Sequence, residues 1–222
     1  MFITFEGIEG SGKTTQINHT VRFLEGKGRT CVVTREPGDT RIGKKIRQIL
    51  LDPENRELVP QAELFLYAAD RAQHIHERIL PALKAGHDVV CDRFYDATTA
   101  YQGYARGIDL DMIQALHKQV LGTLKPDLTI LFDLDPRIGL ERAWKEIDRG
   151  GRADNETRFE HEALAFHDKV RAGYLELAAR EPHRITIIDA SLNKDEVSRT
   201  IARILSTHLQ GQELNPIPRQ IP

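Results

Sequence analysis

Gly7-Ile8-Glu9-Gly10-Ser11-Gly12-Lys13-Thr14 is the stretch on which the fold turns. It fits the pattern Gly-x-x-x-x-Gly-Lys-Ser/Thr without a gap. It also lies where that pattern has physical meaning, between the strand-like run Phe2 to Phe5 and a helix-period segment. Glycines allow successive backbone N–H groups to turn toward phosphate oxygens, and the N-terminus of the following helix adds partial positive charge. Lys13 reaches the terminal phosphates and Thr14 offers a hydroxyl to Mg2+. Residues Gly7, Ile8, Glu9, Gly10, Ser11, Gly12, Lys13 and Thr14 are therefore expected to cradle a nucleotide triphosphate with its magnesium ion.

Beyond the loop, short apolar or β-branched runs recur at Cys31 to Thr34, Val89 to Cys91, Leu128 to Phe132 and Ile185 to Ile188, with longer helix-period stretches between them. Strands alternating with helices predict an α/β fold of three layers, a five-stranded parallel sheet flanked by helices. The first helix should open at Lys13, turn Ile17, Val21 and Leu24 inward, and stop at Gly26 or Gly28. A second spans Ile42 to Leu51. From Pro60, the residues Ala62, Phe65, Leu66 and Ala69 read as a buried stripe that Ile79 and Leu83 continue toward Gly86. That helix sets Tyr67 and Arg71 one turn apart on a shared flank. Met112, Leu116 and Val120 mark another helix, Ile138 to Ile147 and Glu160 to Ala179 two more, and Ile201, Ile204, Leu205 and Leu209 the last. Residues 1–211 read as one domain, with a mobile lid at about 145–158, and 212–222 as a flexible tail.

A chain of 222 residues with 40% hydrophobic content can bury one substantial core. Thirty-one Lys and Arg against 33 Asp and Glu leave a formal charge of -2, without the basic excess that counterion release on nucleic acid rewards. A small anion is the expected partner rather than nucleic acid. Cys31 and Cys91 lie beside valines and read as small hydrophobes, with no disulfide framework or zinc site. The strand-like run from Phe2 leaves no charged n-region with an apolar h-region, and no apolar run approaches the roughly 20 residues of a membrane span, so neither a leader nor a span is expected and the cytoplasm is the expected compartment.

Val89-Val90-Cys91-Asp92-Arg93 is an apolar run ending in a carboxylate, the place where phosphate-binding-loop enzymes keep the acid that holds magnesium directly or through water. Asp92 joins Thr14 as a metal candidate. A guanine reader would be Asn-Lys-x-Asp; the nearest string, Asn193-Lys194-Asp195-Glu196, lies at a helix start and reads as a cap with surface charge. A small-molecule kinase is the class that best accommodates these features.

Three further strings, Thr34-Arg35-Glu36-Pro37-Gly38, Asp92-Arg93-Phe94 and Ala100-Tyr101-Gln102-Gly103, combine with the loop to resemble the thymidylate kinase family. Arg158-Phe159-Glu160 and Tyr174-Leu175-Glu176-Leu177-Ala178 extend the likeness over about the first 190 residues. The resemblance implies the P-loop NTPase fold, transfer of a phosphoryl group from MgATP to dTMP to give dTDP for dTTP synthesis, and a homodimer. It implies that Arg93 and Arg71 grip the acceptor monophosphate, for which the planar guanidinium fork is suited. Tyr67 would present a ring to the thymine where the family usually has Phe. Phe65 is the fallback platform, although its place in the stripe reads as core. Gln102 would read the polar edge of the pyrimidine, Tyr101 would crowd the ribose, Thr98 would stand near the base, and Glu36 would belong to the same acceptor site. Glu9 would meet the acceptor 3′-hydroxyl or magnesium-bound water.

Members of the family carry a catalytic arginine either in the loop or in the lid. Here positions 8 to 11 are Ile, Glu, Gly and Ser, so the lid must supply it. Arg149 and Arg152 are the favoured residues, with Arg158 the third, and Gly150 and Gly151 form the hinge. Arg142 would stack on adenine, with the turn at Ala190 and Ser191 closing the other side. Two positions depart from the family. Asp39 stands where Gly is common and leaves the local turn open, because a Gly there can use φ > 0; Ala97 stands where Ser is frequent. Two rivals stay open: a kinase of another acceptor, and a nucleotide-binding switch with negligible turnover.

Overall fold

The computed structural model describes residues 1–150 and 154–214. Its strands β1 (Phe2–Gly7), β2 (Cys31–Arg35), β3 (Asp88–Asp92), β4 (Leu128–Asp133) and β5 (Ile185–Asp189) pair in the order β2-β3-β1-β4-β5. Every pairing is parallel, which requires a crossover between each pair of consecutive strands and so explains the alternation with helices. All residues of β1 are buried, as expected for the central strand of a sheet covered on both faces. Successive side chains point to opposite faces. Thus Ile3 and Phe5 pack with Ile17, Leu24, Ile130 and Phe132, while Phe2, Val89 and Cys91 pack with Ile79, Leu83 and Phe94. The chain steps from β1 to one side of the sheet and later, after β3, to the other. The crevice at the carboxyl ends of β1 and β3 lies at that reversal, where open α/β sheets bind ligands.

The helices are α1 (Lys13–Glu25), α2 (Arg41–Leu51), α3 (Pro60–His74), α4 (Leu80–Lys84), α5 (Tyr95–Thr98), α6 (Leu110–Leu121), α7 (Pro136–Asp148), α8 (Leu164–Arg180) and α9 (Lys194–Leu214). Local chemistry sets their ends. Thr40 Oγ1 accepts the Gly43 N–H at 2.8 Å to cap α2, and Pro136 occupies the first turn of α7, where its missing N–H costs nothing. Asn193 Oδ1 accepts the amides of Asp195 and Glu196 at 3.2 and 3.0 Å, so this string is the expected cap of α9. The predicted tail boundary at 211 falls inside α9, and residues 215–222 lie outside the described residues.

Three sequence expectations are corrected. Of the expected stripe on α3, Leu66 packs against the core, but Phe65 is 52% exposed and Ala69 is exposed; the fully inward positions are Leu64 and Ala68 together with Glu63, Asp70, Arg71 and His74. This face lines a polar cleft and buries ion pairs, so hydrophobic periodicity points the wrong way. Likewise α6 buries Ile113 and Leu121 and leaves Met112 exposed. Finally, α8 opens at Leu164 rather than Glu160, because the preceding residues form a turn with Phe159 and Glu160 buried. Two π-helical turns, Ile75–Ile79 joining α3 to α4 and Thr99–Ala105 continuing α5, have no counterpart in the sequence reading. Asp39 takes ordinary backbone, since Arg93 is the only described non-glycine with positive φ. Its Oδ2 accepts Thr34 Oγ1 at 2.7 Å and Arg78 Nε at 3.0 Å.

Candidate active site

The loop between β1 and α1 closes one end of a cleft of about 730 Å³. Gly10 adopts φ 67, and a Cβ there would lie 2.0 Å from the Gly139 carbonyl oxygen, so the loop packs directly on α7. Gly12, at φ 87, turns the chain into α1. Lys13 Nζ folds back on the carbonyl oxygens of Gly7 and Ile8, each at 3.0 Å. Burial, reinforced by the positive charge of Arg93, pushes the Lys13 pKa down to about 8. A polyphosphate entering the loop would supply the counter-charge that the site lacks.

Asp92 ends β3 beside the loop, as the sequence predicts. Its Oδ1 is buried without a hydrogen-bond partner, and Asp92 and Thr14 line the same cleft. An orphaned carboxylate oxygen beside a hydroxyl fits a cation. The described residues hold no cluster of three or more His, Cys, Asp or Glu placed for a metal, so phosphate oxygens and water would complete its shell.

Arg93 follows with φ 65. Its Nη2 donates to Glu9 Oε1 at 2.9 Å, its Nη1 to Tyr174 OH at 3.2 Å, and its guanidinium lies 5.0 Å from the centre of the Tyr101 ring. Tyr101 OH donates to the same Glu9 oxygen at 2.6 Å, and His167 Nδ1 stands 3.4 Å from Glu9 Oε2. Burial acts to raise the Glu9 pKa, but Arg93, His167 and Tyr101 outweigh it and hold the carboxyl well below its usual range. Reciprocally, burial opposes protonation of His167, yet Glu9 raises its pKa. Glu9 is thus a fixed anion at the centre of the cleft wall rather than a solvent-facing side chain.

On the opposite side, α3 contributes Tyr67 and Arg71 to the cleft. Arg71 is 2% exposed; its Nε donates to Glu36 Oε2 at 2.8 Å and its Nη2 to the Phe94 carbonyl at 3.1 Å. The other Glu36 oxygen meets His74 Nδ1 at 2.8 Å, so Glu36 presents Arg71 to the cleft. Thr98 lines the same region with its Oγ1 buried and unpartnered. Gln102, in the turn after α5, also lines the cleft and donates from Nε2 to Glu63 Oε1 at 2.8 Å.

Of the predicted lid arginines that are described, Arg149 and Arg158, neither lines the cleft. Arg149 caps α7 and is exposed, outside the set of described residues lining the cleft. Arg152 lies outside the described residues. Arg158 is buried, donating to the Leu50 carbonyl and, at 2.6 Å, to Glu63 Oε2. Arg142 does line the cleft, and its Nη1 donates to the Ala190 carbonyl at 3.1 Å, joining α7 to the predicted adenine-side turn.

Several residues of this site escaped the sequence reading: Glu6, Arg47, Glu63, His74, His167 and Tyr174. For Glu63 the signal existed, because Glu63, Tyr67 and Arg71 recur at one-turn intervals along one face of α3. For Glu6 there was none, since an acid inside an apolar strand is ordinarily read as an outward-facing residue. Arg47 pairs with Glu156 through Nε and Nη2, at 2.9 and 2.7 Å, tying α2 to the far end of the lid segment.

The family model described as thymidylate kinase matches residues 5–201. The chain is 60% identical over 190 residues to the thymidylate kinase of Desulfosudis oleivorans, covering 86% of this chain and 89% of that protein. It is 56% identical over 209 residues to the thymidylate kinase of Desulforapulum autotrophicum, covering 94% and 92%. The crystal structure of thymidylate kinase from Ehrlichia chaffeensis matches with a TM-score of 0.74 at 33% identity, over 93% of this chain and 98% of that one. A match that runs from within β1 through the loop, Arg71, Arg93 and the four further strands admits one conclusion: the chain belongs to the thymidylate kinase family.

Proposed function

We propose that the chain transfers the γ-phosphoryl group of ATP, with Mg2+, to dTMP, giving dTDP and ADP. The observation that carries this reading is one cleft lined together by Lys13, Arg93 and Arg71 and by Glu9 and Asp92. Phosphoryl transfer between two polyanions needs alignment and positive charge more than covalent chemistry. The loop N–H groups and Lys13 hold the donor phosphates, and Arg142 with the Ala190 turn borders the adenine. Arg71, presented by Glu36, and Arg93, fixed by Glu9 and Tyr174, grip the acceptor phosphate. Thr14 and Asp92 would hold magnesium, which neutralises charge on the donor phosphates. Tyr67, Thr98, Tyr101 and Gln102 enclose the acceptor nucleoside. Arg149 or Arg152 supplies the remaining positive charge when the lid segment closes; such an arginine contributes about 10³ to 10⁵ in rate.

Homodimer formation is part of the same reading. It is supported by exposed apolar side chains on neighbouring helices, Ile42 and Ile49 on α2, Phe65 on α3, which packs on both of its neighbours, and Met112 on α6. The compartment proposed is the cytoplasm; no helix among the described residues is long and apolar enough to cross a membrane. The deciding experiment is steady-state transfer from ATP to dTMP, dUMP, dCMP, UMP and thymidine. A clear preference for dTMP is expected, and turnover without that preference would overturn the assignment.

A further inference from the structure

We propose that Glu63 is a positioning residue for base selection, locking the Gln102 carboxamide so that only its carbonyl oxygen is offered to the acceptor base. The inference rests on the reading above, in which a pyrimidine occupies this part of the cleft. Gln102 is the only carboxamide among the described residues that line the cleft, and it is 1% exposed. A carboxamide can present either a donor or an acceptor, depending on how its amide is turned. What surrounds it decides the choice.

Its neighbour Glu63 is fully buried and does not line the cleft. Every group that Glu63 meets is a donor. Gln102 Nε2 reaches Oε1 at 2.8 Å, Arg158 Nη2 reaches Oε2 at 2.6 Å, and Arg106 approaches both oxygens at 3.3 Å. A carboxylate between two guanidinium groups has only lone pairs to offer. Turning the Gln102 amide over would set its carbonyl against that carboxylate, two acceptors facing each other at a buried contact. The amide therefore keeps its NH2 on Glu63. Its Oε1 accepts from no described residue and is left for the cleft.

An acceptor at this position discriminates by simple chemistry. Thymine and uracil carry an N3–H donor between two carbonyls, whereas cytosine carries a lone pair at N3. The Gln102 oxygen pairs with the first and opposes the second. A freely turning glutamine would satisfy either, so the discrimination belongs to Glu63, not to Gln102 alone. The methyl group that separates thymine from uracil is not read by this contact.

The test is kcat/KM for dTMP, dUMP and dCMP in wild type and in Glu63→Gln, whose amide can accept as well as donate. The expected result is a fall of at least about tenfold in the dTMP-to-dCMP ratio, with the dTMP-to-dUMP ratio unchanged within about twofold. Glu63→Gln/Arg106→Met, which restores the net charge of the cluster, is measured in parallel so that instability of the single variant does not decide the matter. Equal losses on all three acceptors, or an unchanged dTMP-to-dCMP ratio in a folded variant, would overturn the proposal. In wild type, NMR of the Gln102 side-chain amide should show the same hydrogen-bonded NH2 before and after dTMP binds; a change of partner would also overturn it. A wild-type enzyme with no preference for dTMP over dCMP instead refutes the functional reading itself, before any variant is compared.

Discussion

At Arg93 the backbone enters the left-handed region, φ 65, a conformation that costs a residue bearing a Cβ about 1–3 kcal/mol and persists where neighbours enforce it. Its own N–H is held by the Phe5 carbonyl at 2.9 Å and its side chain by Glu9 and Tyr174, while Glu6, wholly buried in β1, accepts the next amide, Phe94 N–H, at 2.7 Å and the Tyr174 hydroxyl at 2.8 Å. Burial, aided by the nearby charge of Asp96, pushes the Glu6 pKa up to about 8. The folded chain thus keeps a proton that the unfolded chain releases near 4.5, and the stability this provides is full below 4.5 and lost as pH rises through about 8. In Glu6→Gln that loss is absent. Thermal melts should show wild type losing ground to the variant between pH 5 and 8, by at most about 1.4 kcal/mol per pH unit; parallel curves would refute it. Lys13 makes a second pH prediction. With its pKa lowered to about 8 in the free site, kcat/KM for ATP should fall as pH rises through that value. By contrast, kcat should hold, because bound phosphates restore the charge; pH–rate profiles with saturating dTMP separate the two.

Elements set which side chains meet. The π-helical turn Thr99–Ala105 brings Tyr101 to Glu9 and Gln102 to Glu63, an irregularity of a kind that is frequent at functional sites. Local propensity gives no hint of it. The lid segment is expected to matter for chemistry rather than for ground-state binding: at least one of Arg149→Ala and Arg152→Ala should slow single-turnover transfer tenfold or more, about 1.4 kcal/mol. If neither does, the lid does not supply the catalytic charge. The exposed apolar side chains on α2, α3 and α6 belong to the same scale. Phe65→Asp places a charge on the most exposed of the large apolar residues of these helices and should shift the chain to monomer in sedimentation, with its melting temperature at high dilution little changed; a dimer that survives the substitution would exclude this surface. The sequence stripe had turned Phe65 inward because it counted apolar residues alone, whereas the inward positions of α3 hold Glu63, Asp70 and Arg71 with their partners.

Across the whole molecule, the helix carrying the site's turn is bolted to the far half of the sheet. Arg184, 4% exposed just before β5, donates to both oxygens of Asp96 at 2.7 and 2.9 Å and to Thr129 Oγ1 at 2.7 Å. Removing one partner of a buried pair leaves the other charged and alone, so Arg184→Met should cost about 3–5 kcal/mol, or about 6–20 °C in Tm. A calorimetric change below about 1 kcal/mol would contradict this. The sequence by itself determined the five strands, the loop with its lysine, and the placement of Asp92 at a strand end. These follow from local rules: strand periodicity, glycine conformations, and a motif whose residues are consecutive. It also fixed the family, through short strings with unmistakable spacing. The sheet order, the anchoring of Arg93 by Glu9 and Tyr174, and the pairing of Glu63 with Gln102 were decided only by the tertiary structure. Each joins residues far apart along the chain, and a buried charge can be kept only where such distant partners arrive together.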